Sequence, residues 1–143
     1  MEIVCRPLET DGEIKQAALI EKSCLSTCWS EQQIASLPEY ASYIAAFDGN
    51  EMVGIASMYT LAGEGQIMNL AVLSNHRKKG VGKKLMDSLL LIAREKSCAS
   101  VSLEVAESNN SAIALYRKCG LESIGRRKGF YNGTDAIIME ITL

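Results

Sequence analysis

Asn69-Leu70-Ala71-Val72-Leu73-Ser74-Asn75-His76-Arg77-Lys78-Lys79-Gly80-Val81-Gly82-Lys83-Lys84-Leu85 is the stretch on which the fold turns. It runs from the end of an apolar strand, through a glycine-punctuated basic loop, into a helix. The core of the loop is R-x-x-G-x-G, Arg77 to Gly82. Glycines at the mouth of a helix let backbone approach a ligand closely. The unpaired N–H groups of the first turn bind anions, aided by the positive end of the helix dipole. Five of the 15 basic residues, Arg77, Lys78, Lys79, Lys83 and Lys84, fall within eight positions. The spacing is neither that of a P-loop nor that of a dinucleotide fingerprint, yet a pyrophosphate-bearing ligand fits it. A solvated basic helix start, with glycines serving only the turn, fits the same residues.

Working outward, Val81, Leu85, Leu89, Ile92, Ala93 and Lys96 recur at helical spacing and predict a helix from 81 to about 96. Residues 100–106 alternate as a strand, Val101, Leu103 and Val105 on one face, Ser102 and Glu104 on the other. Asn109 or Asn110 caps a further helix with Ala112, Leu115, Tyr116 and Cys119 along one face, ended by Gly120. A helical crossover from the strand at 66–73 to that at 100–106 makes the two parallel neighbours. Upstream, residues 40–48 and 51–61 form a hairpin about Asp48-Gly49-Asn50. Residues 3–8 read as a strand, Asp11 as the N-cap of a helix over 12–25, and Ser30 with Gln33 as a capping box for a short helix over 31–37. Residues 121–131 and 135–143 read as a closing strand pair around Asn132-Gly133.

The chain of 143 residues is 48% hydrophobic and 22% charged, the balance of a globular protein and not of a disordered one. The length fits one domain, residues 1–143. A net charge of −2 argues against a nucleic-acid partner. Five cysteines at irregular spacing and a single histidine, His76, argue against a zinc site and predict reduced thiols in a cytoplasmic protein. The start lacks a signal-peptide pattern, and the longest aliphatic run, Leu89 to Ala93, is too short to span a bilayer, so no membrane partner is expected. His76 reads as a surface residue, and no metal is expected.

Asn69-Leu70-Ala71-Val72 followed by Arg77-x-x-Gly80-x-Gly82 resembles the acyl-CoA-binding motif of the GNAT superfamily of N-acetyltransferases. Leu103-Glu104-Val105 leading to Asn109-x-x-Ala112-x-x-x-Tyr116-x-x-x-Gly120 resembles its second CoA-contact motif, in the right order and at the right separation. The resemblance implies a mixed α/β fold: a central, mostly antiparallel twisted sheet with a splayed parallel strand pair, flanked by about four helices. It implies acetyl-CoA as co-substrate. The pantetheine arm would pair with the edge of Leu70, Ala71 and Val72, and the pyrophosphate would sit on the N–H groups of residues 78 to 83, among Arg77, Lys78, Lys79, Gly80, Val81, Gly82 and Lys83. Asn109 and Tyr116 would add contacts to the cofactor from the second motif.

Cys28-Trp29-Ser30-Glu31, Leu103-Glu104-Val105, and Arg126-Arg127-x-x-Phe130-Tyr131 before Asp135-Ala136-Ile137-Ile138-Met139 resemble the RimI branch. Members of that branch acetylate the N-terminal alanine of small-subunit ribosomal protein eighteen. Cys28 stands where proline is more usual, and Leu121 where phenylalanine is common. The resemblance makes Glu104 the general base and Tyr116 the general acid, and makes the protein substrate the partner. An α-amine, with a pKa near ~8 against ~10.4 for lysine, is the easier amine to deprotonate near neutral pH. Tyrosine at ~10 can protonate a thiolate whose conjugate acid lies near ~8.5. A solvent-facing glutamate and a core tyrosine are the plain alternatives for these two residues. Trp29 and Tyr131 are candidates for the acceptor groove, with simple packing as the alternative for each. A small-molecule amine or a lysine as acceptor, or a CoA-binding module without turnover, are the competing functions.

Overall fold

The structure is a computed structural model and describes residues 2–131 and 133–143; the side chain of Tyr131 is not among what it describes. One seven-stranded sheet organises the chain, in the order β1-β2-β3-β4-β5-β7-β6. The strands are β1 (Ile3–Pro7), β2 (Ala41–Asp48), β3 (Glu51–Leu61), β4 (Glu64–Val72), β5 (Ser100–Ala106), β6 (Glu122–Tyr131) and β7 (Thr134–Thr142). The helices are α1 (Asp11–Cys24), α2 (Glu31–Ala35), α3 (Val81–Glu95) and α4 (Asn110–Lys118), with a short 3-10 turn at Ser74–His76. Every neighbouring strand pair is antiparallel except β4 with β5. This is the mixed fold, with one parallel pair and four helices, that the two linked motifs implied.

The apolar pattern explains the layering. Residues 52 to 58 of β3 are all buried, as a central strand covered on both faces must be. One face packs Ala45, Phe47 and Ile55 against Ala17 and Ile20 of α1 and Ile34 of α2. The other packs Ile44, Val53 and Met58 against Val81, Leu85 and Leu89 of α3. Within α3 the buried residues are Val81, Leu85, Met86, Leu89, Leu90 and Ala93, while Lys96 is the exposed C-cap. The buried face is therefore wider than the expected stripe, because α3 lies across several strands.

Three local readings are corrected. Helix α1 is capped by Thr10, whose side chain accepts from the Glu13 N–H at 3.1 Å, so Asp11 is its first helical residue. β4 begins at Glu64 because Ala62 and Gly63, both with positive φ, make a two-residue hairpin turn after Leu61. His76 is buried, 8% exposed, with Nδ1 2.9 Å from Asn75 Oδ1 and Nε2 3.7 Å from Asp48 Oδ2. The 3-10 turn tucks its ring against the β2–β3 hairpin. The expected capping box at Ser30 and Gln33 is present on α2, and Gly120, at φ 99°, follows α4. Asn132 of the expected closing turn lies outside the described residues.

Candidate active site

The site begins with a bulge. Leu70 of β4 pairs with Ala56 and Ile67 with Met58, so Met68 and Asn69 face the single residue Ser57. The extra residue bends the strand and leaves one amide without a ladder partner. Ser57, fully buried, takes that amide: Asn69 N–H donates to Ser57 Oγ at 3.2 Å. On its other side β4 runs parallel to β5 for only three pairs, Glu64 with Ser100, Gly65 with Val101 and Gln66 with Ser102. Beyond Gln66 the two strands part. β5 continues along β7 as far as Ala106 with Ala136, while Leu70, Ala71 and Val72 have no register partner on β5 among the described residues.

The basic loop then enters α3. Lys78 and Gly80 both take positive φ, 61° and 84°, and Gly80 is the N-cap. No side chain caps this helix, and no acidic residue stands in its first turn. The N–H groups at its start thus face outward with the dipole unopposed. A Cβ on Gly82 would stand 2.9 Å from Leu115 Cδ2, so the start of α3 lies against α4. Arg77 Nε donates to the Val72 carbonyl at 2.9 Å, which ties the loop to the free end of β4. Lys78 and Lys79 are exposed, whereas the Lys83 ammonium is 2.9 Å from Asp87 Oδ2, and that carboxylate raises its pKa. Asn109 caps α4, its Oδ1 accepting from Ala112 N–H at 3.3 Å.

Glu104 stands on β5 opposite Ile138 of β7, half-buried, and its Oε1 lies 2.7 Å from Arg127 Nη2. Tyr116 of α4 is 8% exposed and belongs to the same buried cluster as Val81, Leu103 and Val105. Arg126 joins Glu107 and Asp135, and Gly129 N–H donates to Asp135 Oδ1 at 3.0 Å, which fastens the β6–β7 hairpin to the end of β5. These donors hold the Asp135 carboxyl below its ordinary pKa. Trp29 is half-buried, its ring stacked 6.1 Å from that of Tyr59 and tilted 6.3 Å from that of Tyr43. It also lines a surface hollow of about 330 Å3 with Leu19, Cys28 and Ser30. The expectation for the Tyr131 side chain falls outside the described residues.

Two features escaped the sequence reading. One is the Arg127 partner of Glu104, legible only as a basic residue in a motif. The other is Glu21, fully buried on α1, whose Oε1 accepts from Trp29 N–H at 2.8 Å and from Asn69 Nδ2 at 2.7 Å. Its Oε2 accepts from the Tyr43 hydroxyl at 2.6 Å. The available signal was an acidic residue inside the stripe formed by Ala17, Ile20 and Cys24.

Residues 12–121 match the Acetyltransferase (GNAT) family. A Bacillus subtilis (strain 168) relative is 32% identical over 130 residues, 87% of this chain and 85% of the relative. The [ribosomal protein bS18]-alanine N-acetyltransferase of Escherichia coli (strain K12) is 30% identical over 142 residues, 95% of each chain. The crystal structure of the ribosomal-protein-S18-alanine N-acetyltransferase from Escherichia coli superposes with a TM-score of 0.87 at 29% identity, covering 99% of this chain and 94% of the other. Arabidopsis thaliana NAA60 in complex with acetyl-CoA shares the fold at TM-score 0.88 and 19% identity, covering 99% of each chain. The parted strands, the uncapped glycine-led helix and the match along most of the sequence lead to one conclusion: this chain is a member of the GNAT acetyltransferase family.

Proposed function

We propose that the chain transfers acetyl from acetyl-CoA to the N-terminal α-amine of a protein, with the N-terminal alanine of ribosomal protein bS18 as acceptor. It acts as a single domain, residues 1–143, in the cytoplasm, without a metal, nucleic acid or membrane partner. The observation that carries the reading is the parting of β4 from β5 after Gln66, beside Glu104 and the start of α3. An amide-bearing arm fits an unpaired strand edge, and a pyrophosphate fits the uncapped helix start. The relatives named for N-terminal alanine acetylation support the acceptor. Among the described residues, no helix is long and apolar enough to cross a membrane.

In this reading Glu104 accepts a proton from the acceptor ammonium, directly or through a water, and the freed amine forms a C–N bond to the thioester carbonyl. A backbone N–H near Ala71 or Val72 takes the oxyanion. The carbonyl re-forms as the C–S bond breaks, Tyr116 gives its proton to the departing sulfur, and the second proton shed by the nitrogen passes through water to restore the phenol. Residues Leu70 to Val72, Arg77 to Lys83 and Asn109 bind the donor, and Trp29 borders the acceptor.

Free-thiol release from acetyl-CoA tests it, with two peptides. One begins with alanine in the ribosomal protein's N-terminal sequence; the other is the same peptide, blocked at its N-terminus and carrying an internal lysine. Turnover of the first alone, lowered about 10²–10⁴-fold by Glu104→Gln, is the expected result. Turnover of the second makes the enzyme a lysine acetyltransferase. Turnover of neither, with CoA still bound, leaves a small-amine enzyme or a silent binding module.

A further inference from the structure

We propose that Glu21 is a positioning residue, setting the acceptor-side wall of the cleft against the strand that presents the thioester. The inference rests on the reading under Proposed function for which side of the cleft each substrate takes. Glu21 is fully buried and has no ion-pair partner among the described residues. An uncompensated buried carboxylate is among the least favourable things a core can hold. An apolar residue beside Ala17, Ile20 and Cys24 would pack α1 at lower free energy.

What the carboxylate contributes is a junction. Its three donors come from 8, 22 and 48 residues away in the chain. Trp29 N–H opens α2, immediately before the Ser30 capping box, so fixing that amide fixes the whole turn. Asn69 is the bulge residue just ahead of Leu70, and its own N–H is already held by Ser57. Both of these donors converge on the same atom, Oε1, so one oxygen joins the α1–α2 loop directly to β4. Tyr43 closes the other side through Oε2, and its ring in turn supports Trp29. Burial and the neighbouring carboxylate push the Tyr43 hydroxyl well above its ordinary pKa, so it stays a donor.

The hydrogen-bond inventory separates the variants. In Glu21→Gln, Oε1 keeps both Trp29 and Asn69, and the Tyr43 hydroxyl rotates to accept from the new amide. The junction survives while its charge is gone. Glu21→Ala leaves three donors unmatched, and Asn69→Ala cuts the tie to β4 alone.

Steady-state kinetics on the full chain with the alanine-terminated peptide, CoA titration, and Trp29 emission test the proposal together. Trp29 is the only tryptophan, so its emission reports the loop. Glu21→Ala and Asn69→Ala are expected to lower kcat/KM for the peptide by about tenfold or more, with CoA affinity within about twofold. Trp29 emission moves to the red in Glu21→Ala, and Glu21→Gln stays within about threefold of the parent in every measure. Three results overturn the proposal: unchanged peptide kinetics in Asn69→Ala, peptide and CoA parameters falling in parallel, or Glu21→Gln as damaged as Glu21→Ala. If Glu21→Ala does not fold, Asn69→Ala and Tyr43→Phe carry the same kinetic split. If the parent chain acetylates no N-terminus, the proposed function fails on its own. Trp29 emission of the CoA-bound variants then decides whether Glu21 holds the loop.

Discussion

Glu104 on β5 and Arg127 on β6 meet at 2.7 Å across the intervening strand β7, where Ile138 pairs with Glu104 and Ala136 with Arg127. The proposed base is therefore oriented by the outermost strand of the sheet, from a residue whose own side chain is 56% exposed. Removing the carboxylate and removing its partner have different consequences. Glu104→Gln is expected to lower kcat by about 10²–10⁴-fold with the melting temperature unchanged. Arg127→Gln changes stability by less than about 1 kcal/mol, as exposed pairs do, and slows turnover much less. Stopped assays and thermal melts on the two variants check this.

Tyr116→Phe removes one hydroxyl from a buried side chain of the core cluster. Loss of a general acid is expected to slow turnover by about 10²-fold, with acetyl-CoA affinity little altered. Steady-state turnover and acetyl-CoA titration of the parent and the variant check this.

Gly80 and Gly82 are held for different reasons. A Cβ at Gly80 meets nothing within 4 Å, but its φ is 84°. Gly80→Ala is therefore a backbone penalty, expected to lower stability by about 1 kcal/mol and to weaken CoA binding. At Gly82 the same atom would press on Leu115 Cδ2 at 2.9 Å. Gly82→Ala displaces that side chain and the start of α3 relative to α4, so CoA affinity falls more than stability. Denaturant titration and CoA titration on both variants separate the two.

The pair between Arg6 of β1 and Glu13 of α1 predicts an acid-sensitive surface contact. Arg6 Nη2 donates to Glu13 Oε2 at 2.7 Å, and Glu9 N–H donates to Glu13 Oε1 at 2.7 Å. Hydrogen bonding to Arg6 first, and then to the Glu9 amide, lowers the Glu13 carboxyl from 4.5 to about 2. A carboxyl lowered in the fold stabilises it above its unfolded value and loses that contribution as pH falls through the folded one. The melting temperature is expected to decline between pH 4.5 and 2, and Glu13→Gln flattens that part of the profile.

Much of this was legible beforehand because the decisive signals are local. The R-x-x-G-x-G loop, the alternation of Val101, Leu103 and Val105, the Ser30–Gln33 box and the Asn109 cap each act within a few residues of themselves. The order β5-β7-β6 and the bulge at Met68 and Asn69 are tertiary facts with no such signal. Asp11 lost the capping position to Thr10 because either side chain can cap and one residue of phase decides. His76 reads as a surface residue in sequence because its exposure depends on the β2–β3 hairpin folding over it, and Glu21 carries little sequence signal of burial because charge ordinarily marks a surface.

The place of β7 between β5 and β6 bears on how the chain is made. Synthesis proceeds from the N-terminus, so β6 emerges before β7, its one partner strand among the described residues. Until Thr134–Thr142 has been extruded, β5 presents an open edge, the backbone groups of Ser100 to Ala106 that face β7 lacking their partner strand. A nascent chain stalled before β7 is a five-stranded sheet, β1 to β5, with a sticky border, open to pairing with whatever strand it meets. Vectorial synthesis therefore places the assembly of the Glu104–Arg127 side of the cleft after the emergence of β7.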